Sequence, residues 1–216
     1  MRDFLDNLNA NAAKNMVEMA LAPSLANVCA ACEQFDREEG IIETALAELF
    51  TAYPQNTTAH HVLLKVTTLN ALYATQIPVY SPNKTDLRDM AEHICQNGRA
   101  IDAALANGLP EIVDQVARPE TTGKKSYQHF SFSTKYCSWH RPDCYPIWDS
   151  RVRAYLLWLQ KEWSFAKDFD VDGYWKYPAF LEVITRFRKQ YDLEGFSFKE
   201  LDKFLYRAGD VLMKQI

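Results

Sequence analysis

Apolar residues recur at spacings of three and four along most of the chain, which is the pattern of amphipathic helices. Four stripes carry it most clearly, at 41–50, 62–73, 87–105 and 198–212. Shorter helices are predicted at 3–20, 24–38, 133–140, 150–163 and 174–190. The stretch 117–132 is rich in turn-forming residues and lysine, which predicts an ordered loop. The pattern therefore predicts an all-α protein with short connections.

Residues that cap helices stand at two of the predicted starts. Ser197 and Glu200 have the spacing of a capping box before the terminal stripe. Asp149 follows a Pro-Ile-Trp turn and precedes an apolar stripe, so we expect its carboxylate at the N-cap of a helix. The positive end of the helix stabilises the ionised carboxylate there. Most N-cap aspartates only cap, so spacing alone leaves a purely structural role for Asp149 open.

The size and composition indicate one ordered globular unit. Its 216 residues are 48% hydrophobic and 24% charged, which suffices for a substantial core. We expect a two-lobed helical bundle over 1–216, with a central lobe at 57–149 and a second lobe built from 1–56 and 150–216. No apolar run approaches the roughly 20 residues that cross a bilayer. The first residues are too polar for a signal peptide, so we expect a cytoplasmic protein without a membrane partner.

The net charge of −4 is unevenly distributed along the chain. Between Arg118 and Arg153, seven basic residues stand against three acidic ones, which makes that segment +4. The other 17 basic and 25 acidic residues make the rest of the chain −8. A basic strip on an acidic protein can dock a polyanion, although scattered surface charge explains it equally well.

The cysteines favour reduced thiols over a disulfide framework, because there are five of them without regular spacing. Cys29 and Cys32 form one C-x-x-C pair, and no second pair completes a set of four zinc ligands. Cys137, His140 and Cys144 place three soft ligands within eight residues, which leaves a metal-dependent hydrolase as an alternative. A packed thiol and a hydrogen-bonded histidine explain them without a metal, so no metal or cofactor is predicted.

A lysine and several tryptophans surround the capping aspartate. Lys135 is predicted in the first turn of the helix before Asp149. Near a carboxylate and aromatic rings, a lysine can form an ion pair or lose its proton more readily, and the sequence leaves both open. Four of the five tryptophans lie at 139–163, and we expect most of them in the core. Trp148, next to Asp149, is singled out as a candidate site residue.

The segment YPIWDSRVRAYL (145–156) resembles the one that carries the catalytic aspartate of the helix-hairpin-helix DNA glycosylases, whose pattern is P-x-x-D-x-x-V before a helix. The adenine glycosylases, with F-P-I-x-D, are the most similar in this segment. HHVLLKVTTLNALYATQI (60–77) resembles the early helix of the same domain. The resemblance covers 57–160, with FKELDKFLYRAGDVL (198–212) as a candidate for the closing helix. Two features of the family are missing. HFSFSTKYC stands in place of the glycine hairpin, and no cysteine follows Cys144, so no iron–sulfur cluster is expected.

The resemblance implies base excision repair, with hydrolysis of the N-glycosidic bond of a damaged or mismatched base in double-stranded DNA. It assigns Asp149 to the catalytic aspartate and makes Lys135 the candidate nucleophile of members with AP lyase activity. The residues it places in substrate binding are Trp148, Tyr145, Tyr73, Lys124, Lys125, Arg141 and Arg151. The alternative is a non-enzymatic module with a retired glycosylase fold that binds nucleic acid or a protein. The missing glycines and the acidic balance favour that alternative.

Overall fold

The computed structural model describes residues 21–120, 123–166 and 176–214, which contain nine helices and no strand. The helices are α1 Leu25–Ala52, α2 Ala59–Tyr73, α3 Leu87–Gln96, α4 Gly98–Ala106, α5 Glu111–Val116, α6 Phe130–His140, α7 Ser150–Trp163, α8 Tyr177–Gln190 and α9 Phe198–Met213. The predicted all-α class is confirmed. The helix predicted at 3–20 lies outside the described residues.

A single cluster of buried apolar residues draws on all nine of these helices. The terminal helix α9 packs along α7 and α1, α2 packs on α3, and α5 lies against α6 and α8. Both predicted lobes contribute to this cluster, and the division into a lobe at 57–149 and a terminal lobe stays a prediction. Among the described residues, no helix combines the length and the apolar character that a bilayer span requires.

Helix α1 joins two segments that the sequence predicted as separate helices, 24–38 and 41–50. The helix begins after Ser24, whose hydroxyl accepts the Asn27 N–H at 3.3 Å, and it continues through Gly40. A single glycine costs a helix interior only about 1 kcal/mol. Burial of Leu46 and Phe50 in the core outweighs that cost.

The stripe predicted as one helix at 87–105 is interrupted at Asn97, where α3 ends and α4 begins. The Asn97 side chain donates to the His93 carbonyl at 2.9 Å and so satisfies the end of α3. A Cβ on Gly98 would lie 2.2 Å from the backbone oxygen of Asn56, so only glycine allows α4 to start this close to the α1–α2 connection.

Helix α6 begins at Phe130, inside the predicted loop 117–132, and not at residue 133. Phe130 and Phe132 are buried in the core, which extends the helix towards its N-terminus. Lys135 therefore lies in the second turn of α6, and its predicted place in the first turn is wrong. The capping box of Ser197 and Glu200 at the start of α9 is confirmed.

Candidate active site

A cavity of about 600 Å³ lies where α1, the end of α2, α6, the start of α7 and α9 approach one another. Its wall carries charges of both signs and several aromatic rings. The groups that matter chemically come from Tyr73, Lys135, Trp148, Asp149, Arg151 and Asp202. Five separate parts of the chain thus contribute to one site.

Asp149 is the N-cap residue of α7, as predicted. Its Oδ1 accepts the backbone N–H groups of Arg151 and Val152, each at 2.9 Å. Its Oδ2 lies 3.8 Å from the Nζ of Lys135, and the side chain is 13% exposed. One oxygen therefore holds the helix, while the other is directed at the lysine in the cavity.

Lys135 is almost completely buried, with 3% of its side chain exposed. Its Nζ donates to the Ser131 hydroxyl at 2.9 Å and lies 5.4 Å from the centroid of the Tyr73 ring. Burial lowers the pKa of Lys135, and the charge of Asp149 opposes that shift. The amine therefore loses its proton more readily than the amine of a solvated lysine does.

A hydroxyl next to Lys135 ties α6 to the turn that precedes Asp149. The Thr134 Oγ1 accepts the Trp148 N–H at 3.1 Å and lies 3.2 Å from the Trp148 carbonyl oxygen. Both residues are buried, and the Trp148 ring meets the Phe130 ring edge-on at 5.4 Å. This link fixes the separation between the lysine and the aspartate.

Three of the predicted substrate-binding residues line the cavity: Trp148, Tyr73 and Arg151. The Tyr73 hydroxyl accepts the indole N–H of Trp139 at 3.2 Å, which holds its ring over Lys135. Arg151 donates to Asp210 at 2.9 Å, so its charge is already balanced at the cavity.

The other predicted binding residues lie outside this cavity. Tyr145 is a core residue, because it is fully buried and donates to the Leu109 carbonyl at 3.1 Å. Tyr145 therefore lies in the core and does not line this cavity. Arg141 pairs with Asp143 at 2.8 Å, away from the cavity.

Lys124 contacts the carboxylates of Asp86 and Asp89 at 3.1 and 2.6 Å. Lys125 lies 5.0 Å from the centroid of the Tyr127 ring. Within the described part of the chain, Lys125 has no carboxylate partner among the ion pairs. The two adjacent lysines thus differ, since only Lys125 has an unbalanced charge.

Three acidic residues at the cavity, Glu39, Glu43 and Asp202, were not predicted. The oxygens of Glu43 lie 2.7 Å from Lys199 and 2.8 Å from Lys203. Asp202 is half-buried, and burial raises its pKa to about 7. Asp202 follows Phe198 by four residues, so the helical period already placed this acid on the apolar face of α9.

The Cys137, His140 and Cys144 pattern does not form a metal site. Cys137 is fully buried, and the Nε2 of His140 lies 3.1 Å from the Nζ of Lys65. Burial and the nearby lysine lower the pKa of His140 to about 3. No group of three or more His, Cys, Asp or Glu in the described ranges could hold a metal ion.

The fold and this site define an all-α protein with a buried lysine and a helix-capping aspartate in one cavity. Residues 27–144 match the HI_0787_N family, described as an N-terminal domain, and the chain belongs to this family. It is similar to an uncharacterized protein of Haemophilus influenzae (strain Rd), with 36% identity over 133 residues. The match spans 61% of this chain and 61% of that relative. No solved structure matches the chain.

Proposed function

We propose that this protein is a DNA glycosylase with AP lyase activity, which removes a damaged or mismatched base. The observation that carries the proposal is the 3.8 Å separation between the Nζ of Lys135 and the Oδ2 of Asp149 on the wall of a 600 Å³ cavity. A buried amine beside an anchored carboxylate suits the two chemical demands of this reaction.

The first demand is stabilisation of the sugar as the base departs, because cleavage of the N-glycosidic bond leaves positive charge on it. An anchored carboxylate stabilises such an oxocarbenium-like state. Two backbone N–H groups hold the Oδ1 of Asp149 in place. Its other oxygen remains directed into the cavity for the sugar.

The second demand is a nucleophile for the sugar carbon. Lysine attacks through its neutral amine, and desolvation is a common way to obtain that form. Burial lowers the pKa of Lys135, which makes the amine available. Attack on C1′ gives a Schiff base, and that intermediate leads to strand cleavage.

Besides these two chemical demands, the reaction needs room for a base outside the duplex. Enzymes that act on bases extrude the nucleotide into a pocket and stack the base against aromatic or apolar side chains. A volume of about 600 Å³ lies in the usual range of ligand pockets. The aromatic residues Tyr73, Trp148 and Tyr206 line this cavity.

One observation favours the alternative, a helical module that binds nucleic acid or a protein without catalysis. The segment 129–137, which stands in place of the glycine hairpin, runs into α6 from Phe130 onwards. Most of its backbone N–H groups are therefore used inside a helix. The experiment below separates this module from the enzyme.

The test is borohydride trapping on duplexes that carry an abasic site or a panel of damaged and mismatched bases. We expect wild type to give a covalent adduct, and Lys135→Gln to give none because it lacks the amine. Lys189→Gln, which changes an exposed lysine in the last turn of α8, is the matched control and should trap like wild type.

Asp149→Asn completes the test, because asparagine caps a helix about as well as aspartate does. We expect base release to be lost, while the free energy of unfolding changes by less than about 1 kcal/mol. A wild-type protein that neither traps nor releases any base would overturn the proposal and leave the non-catalytic module.

A further inference from the structure

We propose that Asp202 is the acid that protonates the departing base. This role rests on the proposed glycosylase function and adds to it a residue outside the Lys135–Asp149 pair. The sequence resemblance assigns no role to Asp202, so the argument comes from the cavity itself.

Asp202 differs from Asp149 and Glu43, two other carboxyls of the cavity, in what its oxygens contact. The Oδ1 of Asp149 accepts two backbone N–H groups of α7. Each carboxylate oxygen of Glu43 forms an ion pair with a lysine. Asp202 lines the same wall from α9, and within the described ranges no hydrogen bond or ion pair engages it. Its carboxyl is therefore free to meet a ligand.

The charged and titratable groups around Asp202 come from every helix that forms the wall. Lys199 and Lys135 favour its ionised form, whereas Asp149 and Glu43 oppose it. The Tyr73 hydroxyl is a further neighbour. Burial is the largest influence and raises the pKa of Asp202 to about 7, so about half of these carboxyls carry a proton at neutral pH. In many active sites, two carboxyls with contrasting environments differ in pKa, and the one with the raised pKa acts as the proton donor.

The first step is displacement of the base by Lys135. The neutral amine of Lys135 forms a bond to C1′, and the bond from C1′ to the base breaks with its electron pair going to the base nitrogen. Asp202 gives its proton to that nitrogen, so the base leaves neutral. The Asp202 carboxylate then takes one proton from the positively charged Nζ adduct and is restored. Ring opening follows, as O4′ takes the remaining Nζ proton and the Schiff base forms.

This assignment separates two activities of one site. Release of a base requires a proton on the leaving nitrogen, whereas a preformed abasic site has no base left to protonate. Loss of Asp202 should therefore slow base release and spare attack on an abasic site. A residue that only supported the fold would affect both activities together.

The experiment compares wild type with Asp202→Asn. Single-turnover base release is measured between pH 5 and 9 on the damaged or mismatched duplex that wild type processes, and borohydride trapping is measured on an abasic duplex. We expect base release to fall about 100-fold or more, with trapping within twofold of wild type. Wild-type release should decline above about pH 7, where Asp202 ionises, and the variant should lack that decline.

Asp192→Asn is the matched control, because Asp192 is exposed and has a backbone φ of 54°, which asparagine adopts readily. It should behave like wild type in both assays. Base release by Asp202→Asn at the wild-type rate would overturn the inference alone, and so would an equal loss of both activities. A wild-type protein inactive on both duplexes would overturn the proposed function and this inference together.

Discussion

Burial moves Lys135 and Asp202 towards their neutral forms, although they start from opposite charges. At the surface the two side chains would be an ammonium and a carboxylate. In the cavity they tend towards an amine and a carboxylic acid, which are a nucleophile and a proton donor. Asp149 lies 3.8 Å from the Lys135 Nζ and retains two N–H donors of its own. Burial thus changes the charge state of Lys135 and Asp202, while hydrogen bonds fix the position of Asp149.

The raised pKa of Asp202 makes stability depend on pH in a defined direction. Unfolded aspartate has a pKa of about 3.9, and in the folded protein the value is about 7. Between these values the folded state binds a proton that the unfolded state has lost. Stability from this group is therefore complete below about pH 4, falls as pH rises, and is lost above about pH 7.

Asp202→Asn removes the pH dependence of stability that this carboxyl causes. The free energy of unfolding of the variant, relative to that of wild type, should therefore increase from pH 4.5 to 7.5. Urea unfolding of both proteins at several pH values measures that difference. Asp192→Asn should differ from wild type by the same amount at every pH, since its side chain is exposed. A difference for Asp202→Asn that does not change with pH would contradict the prediction.

Among the helices, the contact of α9 with the first turn of α7 positions Asp149. A Cβ on Gly209 would lie 2.0 Å from the backbone oxygen of Arg151, two residues after Asp149. An ion pair also joins the two helices at this contact, with the Arg151 Nε 2.9 Å from the Asp210 Oδ1. A side chain at 209 would therefore push the start of α7 away and move Asp149 relative to Lys135.

Gly209→Ala should destabilise the fold by about 1–3 kcal/mol through overpacking. Gly40→Ala is the opposite control, because nothing lies within 4 Å of its Cβ position in the interior of α1. It should stabilise by about 0.5–1 kcal/mol, the usual gain for Gly to Ala in a helix. Thermal and urea unfolding measure both variants. Stabilisation by Gly209→Ala would show that the α7–α9 contact has room for a methyl group at this position.

Across the whole molecule, the basic strip predicted from the sequence is largely neutralised by the fold. Lys124, Arg141 and Arg151 each have a carboxylate partner. Lys125 of the strip lies near Lys84, which is outside it, and the Nζ atoms of Lys84 and Lys125 are 5.8 and 5.0 Å from the centroid of the Tyr127 ring. Neither has an ion pair in the described part of the chain. These two neighbouring lysines are candidates to contact a phosphate backbone together.

If the protein binds duplex DNA through them, the double variant Lys84→Gln with Lys125→Gln should weaken binding and flatten its salt dependence. The slope of log Kobs against log salt should fall in magnitude by about 2, close to 1 for each lost phosphate contact. Fluorescence anisotropy at several salt concentrations measures it. Lys161→Gln with Lys189→Gln, an equal charge change at exposed sites, should leave the slope unchanged. An equal change in both double variants would indicate non-specific attraction only.

The sequence by itself determined the features that depend on neighbours within about four residues. The helical class follows from the apolar period, and the capping box of Ser197 and Glu200 and the cap at Asp149 follow from side chains that reach their own helix. The residues left an ion pair of Lys135 with Asp149 open, and the resemblance implied that both belong to one site. The structure confirms their proximity and leaves their roles to experiment.

The tertiary structure alone decided what depends on segments distant in the chain. Burial of Phe130 moved the start of α6, and packing kept α1 continuous through Gly40. Asp202 joined Lys135 at one cavity because α9 packs back onto α7 and α1. A pKa shift by burial arises only when several helices together exclude water from one group, and no local stretch of sequence specifies that.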